Sequence, residues 1–118
     1  MNLHIDLARV VGATFAGHLA TEPDLRQDAL LLQLRDGTSI EIRYAAADAY
    51  SLGWRRKGLW RRIDTAPCHP ELATWPNHFH IGDGDVRADP VTRCGAEPWH
   101  NLRVLVQALV EQSVVLQA

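Results

Sequence analysis

The sequence predicts an α+β protein, an antiparallel β-meander of four to six strands with N- and C-terminal helices packed on one face. Three patterns point there. Apolar and polar residues alternate with period two in several runs between residues 29 and 64, each run ended by a turn signal. Connections that short join neighbouring strands as hairpins, so the sheet is antiparallel. The chain closes with Leu102, Leu105, Val106, Leu109 and Val110 at i, i+3, i+4, i+7 and i+8, the stripe of a helix lying on a sheet. At 118 residues the chain is read as one domain, residues 1–118, long enough to bury a core without disulfide staples.

Residues 2–20 read as an amphipathic helix with Leu3, Leu7, Val10, Val11, Thr14 and His18 on one face. The alternation of Leu3, Ile5 and Leu7 makes a first strand the competing reading. Thr21, Glu22, Pro23 and Asp24 break the element. A strand over 29–35 turns Leu30, Leu32 and Leu34 inward, and Asp36 and Gly37 form a hairpin turn where glycine tolerates positive φ. The chain returns over 38–44 with Ile40 and Ile42 inward and Glu41 and Arg43 outward. After Ala45 to Asp48 comes a strand over 49–55 with Tyr50, Leu52 and Trp54 on one face. Lys57 and Gly58 turn into a strand over 59–64 with Trp60 or its strand neighbours in the core. A short strand over 78–81, a turn through Gly82, Asp83, Gly84 and Asp85, and an edge strand over 86–88 follow. Asp83 and Asp85 read as solvated turn residues. Glu97 and Pro98 open the last helix, expected over about 98–112, since proline suits a first helical position.

Apolar residues at 47% and charged residues at 22% exclude a disordered chain. A net charge of −2 indicates no class of partner, but its distribution does: Arg55, Arg56, Lys57, Arg61 and Arg62 crowd eight positions that contain no acid. Such a block can track a phosphate backbone. Cys68 and Cys94 are the only cysteines, and with no signal-peptide layout they are expected to stay reduced, which fits a cytoplasmic protein. No apolar run approaches the ~20 residues of a membrane span, so no membrane is expected among the partners.

Chemistry concentrates in residues 62–80, which hold three of the six histidines and three of the six prolines. Pro67, Pro70 and Pro76 exclude continuous helix or central strand and imply a stiff loop. In the strand that follows, His78 and His80 share a face opposite Phe79 and Ile81. His69, His78 and His80 beside Arg62 supply a base, an acid and a cation, the three roles that attack of a ribose 2′-hydroxyl on its neighbouring phosphate requires. Asp64 would orient a histidine or pair with Arg62, and Glu71 would line the rim as a proton acceptor. Arg55, Arg56, Lys57 and Arg61 would carry the backbone, and Trp75, with Trp54 and Trp60, would stack bases where exposed, although strand tryptophans are more often core.

Two other readings stand beside ribonuclease chemistry. The motif can be a folded corner of a non-catalytic protein-binding module, with Arg62 and Asp64 a structural ion pair. It can also be a metal site, with ligands from His69, His78 and His80 and from Asp64 or Glu71, because His-x-His on a strand is a known ligand spacing. No Cys-x-x-Cys or His-Glu-x-x-His pattern supports a metal, so no metal or cofactor is assigned.

The run Arg62, Asp64, Ala66, Pro67, His69, Pro70, Glu71, Leu72, Thr74, Pro76, His78, His80 resembles the motif of the TumE family of toxin–antitoxin systems. The match is tight over these residues and agrees elsewhere in layout: a leading helix, a meander with an aromatic strand, a closing helix. Thr65, Cys68, Asn77 and Phe79 stand where the family has Asn, His, His and Lys. The resemblance implies a small bacterial toxin encoded beside a helix-turn-helix antitoxin that binds it. The apolar tail Val114, Val115, Leu116 adds self-association as a further expectation.

Overall fold

Alternation builds the sheet. In a computed structural model that describes residues 2–82 and 84–116, β1 (Asp24–Leu25), β2 (Leu30–Gln33), β3 (Ser39–Ala46), β4 (Ala49–Arg56), β5 (Leu59–Asp64), β6 (His78–Ile81) and β7 (Asp85–Ala88) form one antiparallel sheet in sequence order. Seven strands exceed the four to six expected. The addition is β1, whose two residues pair Asp24 with Leu31 and Leu25 with Leu30. Two residues are too few to show alternation, and only the break at 21–24 was visible in the sequence. Asp83, placed in a turn by the sequence reading, lies outside the described residues.

One sheet face is apolar. Leu30, Leu32, Ile40, Ile42, Tyr44, Tyr50, Leu52, Trp54, Ile63 and Phe79 point to it, with Ile40 opposite Trp54 and Ile42 opposite Leu52. Helices α1 (Leu3–Thr14) and α2 (Pro98–Val110) close the core with Leu7, Val11, Leu102, Leu105, Val106 and Leu109. The strands join through the expected turns. Gly37 has φ 95°, and Lys57 and Gly58 have φ 53° and 78°. Positive φ at two successive positions is the twist that a two-residue hairpin needs.

The N-terminal helix is shorter than predicted. The Asn2 side chain caps it by accepting the His4 and Ile5 N–H groups. After Thr14 the chain tightens into a 3₁₀ turn, Ala16–His18. Three residues per turn rotate the buried stripe. Phe15 and Leu19 therefore enter the core, while Thr14 and His18, assigned to the buried face from the sequence, are exposed. In β5 it is the strand neighbour Ile63 that enters the core, while Trp60 lies half-buried on the opposite, open face. No described helix is long and apolar enough to cross a membrane.

In α2, Leu105 is fully buried and Gln107 is exposed, as the stripe predicts. Leu105→Ala should cost about 2–5 kcal/mol, for the lost transfer energy and the cavity left behind. Urea denaturation measures it, and a wild-type midpoint would refute the packing.

His4 supplies a pH-dependent contribution to stability. It is 7% exposed, and its Nε2 accepts the Tyr44 N–H at 3.0 Å. Burial lowers its pKa below the ordinary 6.5; Asp28 opposes the shift and Arg43 adds to it. The unfolded imidazole thus takes up a proton at a higher pH than the folded one. Stability held above pH 6.5 should decline as pH falls from that value toward the folded pKa. Denaturation on both sides of pH 6.5 tests it. His4→Gln should flatten the decline, and an unchanged slope would reject His4 as its source.

Candidate functional site

The open face of the sheet carries the polar chemistry. Along β5, Trp60, Arg62 and Asp64 alternate away from the core, and along β6 so do His78 and His80. Antiparallel pairing sets Asp64 opposite His78 and Arg62 opposite His80. Beyond β5 the chain forms a loop over residues 65–77 that folds back across the end of this face. Thr65 starts the loop by donating its N–H to the Tyr50 carbonyl and accepting the Tyr50 N–H on its hydroxyl. The loop ends in a cis Trp75–Pro76 bond, just before β6.

This fold-back brings the three motif histidines together. Ring centroids lie 4.5 Å apart for His78 and His80, 5.0 Å for His69 and His78, and 6.3 Å for His69 and His80. Asp64 is the common partner of His78 and His80. Its Oδ1 lies 2.9 Å from His78 Nε2 and its Oδ2 3.4 Å from His80 Nε2, while Oδ1 also accepts the Ala66 N–H at 3.0 Å. Burial differs sharply among them: the side chains of His78, His80 and His69 are 1%, 25% and 31% exposed. His78 therefore sits behind the other two.

Its hydrogen bonds define its role. His78 Nδ1 lies 3.2 Å from the Pro76 carbonyl oxygen, which only accepts, so Nδ1 donates. Nε2 meets a carboxylate, a second acceptor. Both ring nitrogens are engaged, and His78 anchors Asp64. His80 is different. Burial is the main cause lowering its pKa, with His78, Arg62 and His69 acting in the same direction and Asp64 against them. A neutral His80 that donates Nε2–H to Asp64 keeps Nδ1 as its basic nitrogen.

Arg62 is exposed and lies over the Trp60 ring, its guanidinium carbon 5.3 Å from the centroid, rather than on Asp64. Trp60 in turn lies 6.5 Å from the His80 ring. Glu71 approaches His69 Nδ1 at 3.4 Å from an exposed position on the rim. Trp75 is 50% exposed, and with Arg43, Ser51, Arg62, Asp64 and Pro76 it lines a shallow groove beside the histidines.

The basic block is split by the same alternation. Arg55 shares the open face with Arg62, across from Trp60, and Lys57 is exposed at the turn. Arg61 shares the helix side with Ile63. Arg56 is engaged within the fold: it donates to Thr38 Oγ1 at 2.8 Å, Asp36 Oδ2 at 2.9 Å and the Leu109 carbonyl at 2.6 Å. Trp54 is buried and stacks on Phe79, so it offers no base platform.

The sequence reading missed what holds the loop. Asn77 is buried, and its amide donates to Tyr50 Oη at 2.8 Å and to Asp89 Oδ2 at 2.9 Å. Asp89 also accepts the Val91 and Thr92 N–H groups, and Asn101 ties the Arg93 backbone to α2. An Asp before Pro90 with Thr92 three residues on was the available signal for such a turn. Three departures from the family motif are structural here: the Thr65 hydroxyl holds the Tyr50 backbone, Asn77 belongs to this network and Phe79 to the core.

A protein-family model described as Toxin TumE matches residues 9–113. No curated protein and no solved structure matches the chain.

Proposed function

We propose, for a chain that belongs to the TumE toxin family, that its toxicity is cleavage of RNA on the open sheet face. The observation that carries the reading is the clustering of His69, His78 and His80, the last two held on Asp64, beside an exposed Arg62. His80 Nδ1 takes the proton of a ribose 2′-hydroxyl as its oxygen bonds to phosphorus. His69 gives a proton to the departing 5′-oxygen as the phosphorus–oxygen bond breaks. Arg62 faces the phosphate oxygens with its planar donors as negative charge builds. The buried His78 and Asp64 hold His80 in register and are positioning residues. Glu71 on the rim orients the His69 ring through Nδ1, Arg55 and Lys57 are available to flanking phosphates, and Trp75 offers a stacking face.

The purified chain incubated with RNA should release fragments ending in a cyclic 2′,3′-phosphate and a 5′-hydroxyl. Intact RNA after prolonged incubation with folded protein would exclude this chemistry. In the cell, the reading is of a cytoplasmic toxin restrained by an antitoxin, by resemblance a helix-turn-helix protein. Val114 and Val115, 78% and 48% exposed beside the buried Leu116, are apolar surface available to that partner or to a second copy.

A further inference from the structure

We propose that Asp64, His78 and His80 form a binding site for one divalent transition-metal ion of the zinc class, held by three protein ligands with a fourth position open. Their ligand atoms all lie within 4.8 Å of one another. His78 Nε2 lies 2.9 Å from Oδ1 of Asp64, and His80 Nε2 lies 3.4 Å from Oδ2 of the same carboxylate. Around a tetrahedral ion with bonds of about 2.0–2.1 Å, neighbouring donor atoms sit about 3.3 Å apart. Side-chain rotation that draws the set in from within 4.8 Å to that spacing admits the ion.

A second observation is independent of that spacing. The Nδ1–H of His78 is directed to the Pro76 carbonyl, which turns Nε2 toward Asp64 and His80. A ligating histidine characteristically donates its other ring N–H to a carbonyl or carboxylate, which fixes the ring and strengthens the ligand nitrogen. The loop supplies that orienting group before any ion arrives. The backbone adds rigidity, since Asp64 and His78 are directly opposite in the β5–β6 ladder and His80 is two residues on. Two imidazoles and one carboxylate suit zinc, cobalt or nickel, whereas magnesium and calcium prefer all-oxygen sites. Three protein ligands and an open position is the arrangement of zinc sites that accept a water or substrate, and the half-buried His69 ring stands beside it.

A corollary rests on the acid–base reading above. Binding at His80 Nε2 moves the single proton of the neutral ring from Nε2 to Nδ1 by exchange with solvent, with no net proton released. Nδ1 can no longer act as the base, so the bound ion switches cleavage off.

The test uses the full chain freed of metal by chelation. Zn²⁺ is titrated calorimetrically, and Co²⁺ is followed by visible absorption, which reports coordination without reference to activity. One ion per chain with the bands of four-coordinate Co²⁺ is expected. Asp64→Asn, His80→Ala and His80→Gln, each checked for a folded spectrum, should weaken binding by on the order of 100-fold or more, beyond the usual effect of losing an orienting partner. His18→Ala and His100→Ala should bind as wild type. No uptake by folded wild type, or wild-type affinity in the folded Asp64 and His80 variants, overturns the site. Loss of binding in Cys68→Ser with retention in His80→Ala would place the ion on Cys68, His69 and His78 instead and equally overturn it. RNA cleavage is measured in parallel with and without Zn²⁺: cleavage only with the ion would reject the acid–base reading and leave the metal site standing.

Discussion

His80→Ala should keep the fold and lose about 10²–10⁴-fold in the rate of RNA cleavage, the range for removing a positioned proton-transfer group. Its side chain is a quarter exposed, and its contact with Asp64, at 3.4 Å, is long. Removing it leaves Asp64 with His78 at 2.9 Å and the Ala66 N–H at 3.0 Å, so the carboxylate stays satisfied. Little stability should be lost. Single-turnover cleavage, with circular dichroism and growth after induction, separates the two quantities. A folded His80→Ala protein that cleaves RNA at the wild-type rate removes His80 from the chemistry.

His78→Ala should behave in the opposite way, through stability. A histidine used for proton transfer is at least partly open to solvent, and His78, 1% exposed, is not. Truncation leaves the Asp64 carboxylate, itself 16% exposed, without its main partner, orphans the Pro76 carbonyl and opens a ring-sized void. Breaking a buried pair from one side costs about 3–5 kcal/mol, because the remaining charge is uncompensated. Urea denaturation of His78→Ala beside His80→Ala reads the difference. Equal midpoints would mean that His78 does not anchor the loop. Loss of toxicity on His78→Ala alone therefore says nothing of catalysis; the comparison must be made at His80.

The elements legible in the sequence were those whose period repeats. Ile40, Ile42, Leu52 and Trp54 alternate cleanly and are core, and Leu102 to Leu109 keep the helical stripe. The site's face was legible too, since His78 and His80 sit two apart in a short strand. What one-dimensional spacing could not show was depth. His78 and His80 have the same periodicity, but only His78 lies under the folded-back loop, and nothing in the run of prolines states where a loop lands. The basic block misled for a related reason. Five cations in eight positions look like one surface, yet alternation sends Arg61 to the helix side, and the partners of Arg56, Asp36, Thr38 and Leu109, are 20, 18 and 53 residues away. The buried bonds from Asn77 to Tyr50 and Asp89 join positions 27 and 12 apart and left no local trace.

The strand order of the sheet has a consequence for synthesis on the ribosome. Because β1 to β7 lie side by side in the order they are made, each hairpin can close on residues that have just emerged. The histidine-bearing face is thus laid down by residue 80, but its apolar reverse side is covered only by α1 until α2 follows. A nascent chain halted between the two carries the histidine cluster on an unfinished, aggregation-prone sheet. Nonsense and frameshift lesions anywhere upstream of Pro98 remove the helix that completes the core and should therefore leave no folded toxin.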